Sequence, residues 1–430
     1  MTSTTLVRRP RAAARVPLDP PPLRWAWRGA LAVFVLAGST GALFRFAAAT
    51  GDPFGLDPTN VRHAHSHLMY FGWATPALFA LVARRLPGLG GRAVPRAGWV
   101  VGATFALALL AYPAFLLFGY APAAVGGARL PLGVVAAGLN VLAWYAFVAL
   151  YRRARRGAPP SPALRLLDLA ASLLVLATLG AWGLPVLQAT GAGGAALKTA
   201  LTHLFLDAFS EGWFVFGVLG LAAAEAGRPA RGASDRALGW GAAVAAAGVP
   251  FTFALGMPAA LVPPLVGALA RVGGALVGAG LVVAALALAP HVRGLWRVAL
   301  GLLVLKALGQ LAVALGVGAG WAAVPAFRVV YLHLMLLGFV TLGLVAAARG
   351  VWGERAARGH RAMAAAVGLL LLSLVLLTPL WPSAWGGAWA GWAVAGCAVG
   401  PVLVAAQMAA RGGAGSGPDA GSLARPRPRS

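Results

Sequence analysis

Acidic residues are nearly missing from this chain. Ten aspartates and glutamates stand against 35 lysines and arginines in 430 residues, and all charged residues together make up only 10%. A soluble globular protein carries roughly a quarter of its residues as charges, so a soluble fold is excluded. Cysteine is scarcer still. Cys397 stands alone, which excludes an internal disulfide framework and any cysteine-only metal cluster; in its apolar setting it reads as a packing residue. What the sequence has instead is 60% hydrophobic residues and a mean hydropathy of +0.81. The expected partner is a lipid bilayer. The formal net charge of +25 would suggest nucleic acid in a soluble protein. Here the arginines lie between apolar runs, where they set orientation in the bilayer, and no nucleic-acid partner is expected.

Apolar runs long enough to cross about 30 Å of hydrocarbon fall at 25–49, 62–83, 97–120, 130–151, 163–187, 198–224, 237–257, 261–289, 295–317, 324–347, 362–380 and 386–410. The pattern predicts an all-α polytopic membrane protein with about twelve transmembrane helices. The Pro258–Pro264 stretch reads as a short turn between two of them. No short repeat is visible, and no soluble domain fits between the spans.

Arginine placement tests that count. With the N-terminus inside, the inner segments hold Arg8, Arg9, Arg11 and Arg15, then Arg84, Arg85, Arg92 and Arg96, then Arg152, Arg153, Arg155 and Arg156. Arg228, Arg231 and Arg236 follow, then Arg293 and Arg297, then Arg349, Arg355, Arg358 and Arg361, and the tail from Arg411. The outer loops hold little beyond Arg62, Arg129, Lys198 and Arg328. This alternation follows the positive-inside rule and predicts a multi-pass protein of the cytoplasmic (inner) membrane with both termini cytoplasmic. Residues 1–24 read as a basic cytoplasmic segment and 25–410 as the membrane domain. The first span reads as an uncleaved anchor, and the Gly/Pro/Ser-rich residues 411–430 read as a disordered tail.

The polar groups inside these spans carry the functional signal, because each one is costly in hydrocarbon unless partnered. The second span opens "RHAHSHLMYFGWATP", residues 62–76. His63 and His67 are four apart and share a helical face, while His65 points about 200° away at ~100° per residue. One face can therefore hold a lone axial ligand and the other a two-histidine metal clip. His65, His203 and His333 lie on three different spans at a similar depth near the outer face. Any one of them alone reads as hydrogen-bonded to a neighbouring helix, but the three together favour ligation. His291 and His360 fall at inner loops and read as solvated. In the sixth span His203, Asp207 and Glu211 recur every four residues, with Ser210 close by. Such a stripe needs a metal, a cation or water. The plainer alternative is a hydrogen-bonded polar cluster. The ninth span carries Lys306 and Gln310, four apart, and a buried ammonium there needs a carboxylate on another helix or serves a proton path. Asp168 reads as solvated near the inner interface.

These residues resemble the catalytic subunit of the heme–copper oxidases, a superfamily that includes the nitric oxide reductases. Twelve spans with an inside N-terminus match its topology. His65, Met69 and Pro76 match its second-helix motif, and the tenth-span "YLHLMLLGF" places Tyr331 and His333 where the family has His-x-His. The resemblance implies a heme–copper oxidase-like bundle and one low-spin heme b between His65 and His333. Tyr331 replaces the ligand of the family's second heme. His203, Asp207 and Glu211 match the nitric oxide reductase pattern of histidine followed by carboxylates at four and eight. The seventh span, "LGWGAAVAAAGVPFTFALGM", lacks the family's paired histidines and any tyrosine, so copper is not expected. A harder metal, iron or manganese, remains open for His203, Asp207 and Glu211, with His63 and His67 as further metal-ligand candidates. The His63–Ala64–His65 run also looks similar to the "HAHE"-like motif of NnrS-type heme membrane proteins, with Ser66 in place of the glutamate.

The resemblance thus implies a membrane heme protein for electron transfer or nitric oxide and oxygen handling, without a complete heme–copper active site. Its electron partner would be a cytochrome or a quinol. Any activity would be an oxidoreductase of the cytochrome oxidase or nitric oxide reductase type. Two other classes remain: a secondary transporter using Lys306, Asp207 and Glu211, and a metal-handling protein built on His63, His67 and His203.

Overall fold

In the computed structural model, residues 23–227, 232–318 and 320–411 are described. The basic residues Arg8, Arg9, Arg11, Arg15, Arg228 and Arg231 and the Gly/Pro/Ser-rich tail lie outside them. Eleven of the described helices are long and apolar enough to cross a membrane: α1 Arg24–Thr50, α3 Ala97–Phe118, α4 Leu132–Arg155, α5 Pro162–Thr190, α6 Ala195–Ala226, α7 Ala233–Gly256, α8 Pro264–His291, α9 Leu295–Ala314, α10 Pro325–Trp352, α11 Glu354–Val375 and α12 Ala388–Arg411. The twelfth predicted span, α2, is one continuous helix over 58–85. Histidines at its start and Arg84 and Arg85 at its end dilute its apolar run. The architecture is the expected all-α polytopic membrane protein.

Local chemistry marks the helix ends. The Asp57 side chain accepts from the backbone N–H groups of Thr59 and Asn60, with Pro58 in the first turn of α2. Ser161 accepts from Leu164 N–H ahead of Pro162 at the start of α5. Both satisfy donors that a helix start leaves free. Pro258–Pro264 is a turn, holding one short 3-10 stretch, Ala259–Leu261. The sequence reading missed a hairpin between α3 and α4, where Ala123–Val125 pairs antiparallel with Ala128–Leu130. Gly126 and Gly127 form its turn at φ +54° and +84°, a two-residue connection that needs left-handed backbone at both positions.

Successive helices pack on each other, α12 closes onto α1, and α2, α6 and α10 meet in the middle. The most apolar 18-residue stretch is 78% buried in α6 and 67% in α10, against half or less in the nine other qualifying helices. α2 is likewise buried over 70–83. Protein therefore shields the middle three over these stretches, whereas the turns that carry His65, Asp207, Tyr331 and His333 are only part-buried.

Each middle helix widens into a π turn directly after a polar residue: Leu68–Ala74 after His67, Ala208–Val215 after Asp207, and Leu334–Thr341 after His333. In each, the fifth residue is a glycine followed by an aromatic: Gly72–Trp73, Gly212–Trp213 and Gly338–Phe339. Each glycine lets the preceding helix approach. A Cβ would stand 2.7 Å from Val33 of α1, 2.6 Å from Leu173 of α5 and 3.2 Å from Leu302 of α9, respectively. The chain thus repeats a four-helix unit three times, α1–α4, α5–α8 and α9–α12. Beyond the π turns the same helices are apolar and buried, over Thr75–Ala83, Phe216–Ala223 and Leu342–Ala348.

α7 and α8 cross through two glycine pairs. A Cβ on Gly280 would lie 2.6 Å from Ala245 N, and one on Gly273 would lie 2.8 Å from Gly248 O. Small residues at such crossings let backbones approach in membranes. We predict that Gly280→Val overpacks the crossing and costs about 1–3 kcal/mol. Gly301→Val on α9, where a Cβ would meet open space, should leave stability unchanged. Thermal unfolding midpoints in detergent check this: equal midpoints for the two variants would refute the close-packed crossing.

Candidate functional site

His65 stands on the face of α2 turned to α1, as its offset from His63 and His67 requires. Its Nδ1 lies 2.7 Å from the Ala37 carbonyl oxygen. A carbonyl only accepts, so Nδ1 donates and the Nε2 lone pair is left free. Gly41 makes this approach feasible, since a Cβ there would sit 2.6 Å from His65 Cε1. His333 repeats the arrangement on α10: its Nδ1 donates to the Val329 carbonyl, one turn back, at 2.8 Å. The acceptors are thus backbone carbonyls. Ser66, the other acceptor available in sequence, donates its hydroxyl to the His63 carbonyl instead, at 3.1 Å.

His65 and His333 line one cavity of about 250 Å³, whose walls come from α1, α2, α10, α11 and α12. Phe34, Met69, Trp73, Leu336 and Val402 make it largely apolar. Arg45 and Arg62 also line it. Each lies one helical turn closer to the α1–α2 connection than the level of His65. Sequence reading overlooked Arg45. Its position far along the first span, well apart from Arg24 and Arg28 at the start, was the available signal, since such a group needs an internal role.

His63 and His67 face the other way. His67 Nδ1 donates to the His63 carbonyl at 3.0 Å. The His67 ring packs on Phe115 with centroids 3.9 Å apart, and His63 meets Tyr120 edge-on at 4.8 Å. Both rings are seated among aromatic groups.

The stripe on α6 resolves into an ion-pair network. Lys306 Nζ of α9 lies 2.6 Å from Glu211 Oε1 and is fully buried. It also donates to Gln310 Oε1 at 2.7 Å, and Gln310 Nε2 donates to Glu211 Oε2 at 3.2 Å. The Tyr331 hydroxyl donates to the same carboxylate. Tyr331 sits two residues from His333 on α10 and so points away from the histidine cavity; it belongs to this network. Asp207 stands beside Thr252 of α7, within electrostatic reach of Lys306 and Arg328. Arg328 NH2 approaches His203 Nε2 at 3.4 Å. A guanidinium only donates, so the Nε2 lone pair of His203 is engaged, unlike those of His65 and His333. Among the described residues, no three histidine, cysteine, aspartate or glutamate side chains gather as a metal-holding group. Glu211 meets the Lys306 ammonium, which is the carboxylate-partner reading of that lysine.

At the arginine-rich ends, polar groups are paired rather than simply solvated. Asp168 accepts from Arg155 Nε at 2.7 Å and from the Tyr151 hydroxyl at 2.9 Å. Arg85 of α2 pairs with Glu225 of α6. His291 and His360, read as solvated, are part-exposed, and His360 Nδ1 contacts the Ala357 carbonyl at 3.2 Å. No protein-family model matches the sequence, and no curated protein matches it.

Removing one partner of a buried ion pair strands the other charge and costs about 3–5 kcal/mol, whereas replacing both is close to neutral. We therefore predict that Lys306→Met and Glu211→Gln each lower the unfolding midpoint in detergent, while the double variant recovers most of the loss. Additive losses would show that the two groups are not coupled.

Proposed function

We propose that this chain is an integral heme protein of the cytoplasmic membrane that holds one low-spin b-type heme between His65 and His333. The observation that carries this reading is the pair of imidazoles lining one apolar cavity from different helices. Each has its Nδ1 proton committed to a backbone carbonyl and its Nε2 lone pair uncommitted. Metal-ligating histidines need this arrangement, because the second-shell acceptor fixes the tautomer and the ring and raises the basicity of the ligating nitrogen. Gly41 and the Ala37 carbonyl orient His65, and the Val329 carbonyl orients His333. The apolar walls exclude water, and Arg45 and Arg62 offer guanidinium groups to the heme carboxylates.

A bis-imidazole heme supplies one-electron exchange, with a potential tuned by burial and hydrogen bonding. The resemblance to the heme–copper oxidase bundle points the same way, towards electron transfer or nitric oxide and oxygen handling with a cytochrome or quinol as electron partner. The chemistry at α6 differs from that family's: Lys306, Gln310 and Tyr331 already hold Glu211. We therefore propose one heme per chain, no copper and little oxygen reduction. In this reading the arginine-rich loops and both termini are cytoplasmic, and the histidine cavity lies towards the outer face.

The reduced protein should show the sharp visible bands of a low-spin heme. His65→Ala and His333→Ala should each abolish them, and His360→Ala should not. Pyridine-hemochrome counting with elemental analysis should give one heme and no copper. If both histidine variants keep the wild-type spectrum, the ligand assignment is wrong; two hemes with stoichiometric copper lost on His203→Ala would mean an oxidase site. Reporter fusions after residues 90, 155 and 355 should all report the cytoplasm, and an outside result at any one of them would overturn the orientation.

A further inference from the structure

We infer that a second cavity, on the far side of α10 from His65 and His333, is a binding site for a lipid-soluble quinone or its quinol. It encloses about 350 Å³ between α6, α7, α9, α10 and α11, within the size range of small-molecule pockets. Its polar wall is the network of Asp207, Glu211, Lys306, Gln310, Arg328 and Tyr331, with His203 beside Arg328. Two cations there face two carboxylates. A neutral head group therefore fits, whereas an ion would arrive desolvated with no unmatched counter-charge to meet it.

The wall retains both donor and acceptor capacity. Lys306 is spent on Glu211, Gln310 and the face of the Tyr331 ring, but Arg328, which approaches His203 through NH2, has further guanidinium N–H donors, and Asp207 contributes carboxylate oxygens from α6. A ring whose oxygens are carbonyls in one state and hydroxyls in the other can be held in both states by such a pair. The remaining wall is apolar and reaches the outside of the bundle. Leu305, half-way along α9, lines the cavity and is 57% exposed. Beside it, Gly309 lines the cavity with open space where a Cβ would stand. At the connection to α10, Trp321 and Phe327 stack with centroids 5.3 Å apart and line the same space. Entry from the acyl-chain region and a seat for a tail are thus both present.

That the occupant is a redox-active ring, rather than another lipid alcohol, rests on the heme reading. Leu332 lines both cavities, and Tyr331 and His333 stand two residues apart on α10. The two sites share one helix as a wall.

The test is calorimetric binding of decylubiquinone to the purified full-length protein in detergent. Saturable binding is expected, weakened at least ten-fold by Gly309→Trp, which fills the cavity. Gly301→Trp, on the same helix and also in open space, should leave it unchanged. Absence of saturable binding, or equal affinity in the Gly309→Trp protein, would overturn the proposal. So would displacement of the quinone by decanol at equal concentration, because the site would then not select a ring. Heme bands without quinone binding would defeat this site alone. Quinone binding without heme bands would defeat the heme reading and leave the binding site standing.

Discussion

A polar side chain carried into hydrocarbon must find its partner inside the protein, and the arrangement of this bundle follows from that cost. Lys306 and Glu211 show the constraint at its strongest: a fully buried ammonium 2.6 Å from a buried carboxylate on another helix. Neither residue could stand alone there. The pair ties α9 to α6, and Tyr331 ties α10 to the same carboxylate. The central helices α2, α6 and α10 hold His65, His203, His333, the α6 acids and Tyr331, and α9 turns Lys306 and Gln310 inward to meet them.

The same constraint sorts the histidines by the partner each nitrogen finds. His65 and His333 spend their Nδ1 protons on carbonyls and keep Nε2 free; His203 has Nε2 engaged by Arg328. Three histidines at one depth thus have two chemistries. Two turn their Nδ1 atoms to backbone carbonyls. The third accepts from Arg328 beside the network of Lys306, Glu211 and Asp207.

Much of this was legible in the sequence. Hydropathy alone located the helices, because the hydrocarbon thickness fixes their length and leaves few alternatives. Three- and four-residue spacing separated His65 from His63 and His67 correctly, since a helix face is a local property. What spacing could not give was the partner across the bundle. The acids of the sixth span read equally well as metal ligands, and only the packing of α9 brought Lys306 to Glu211. Tyr331 was assigned by analogy to a cofactor position, and it turned out to serve Glu211. Arg45 and the glycine–aromatic steps of the three π turns passed unnoticed, because each is a single position whose meaning appears only once the helices are superposed in space.

The π turns have a consequence for how such a protein can change. An extra residue in a turn puts the two halves of a helix out of phase, so the half bearing His65, Asp207 or His333 is aimed independently of the half beyond it. The further halves, Thr75–Ala83, Phe216–Ala223 and Leu342–Ala348, are a dry scaffold with little freedom to vary. The near halves carry the polar side chains and are aimed apart from that scaffold. Chemistry and folding are thereby assigned to opposite ends of the same three helices, and one end can drift while the other is held.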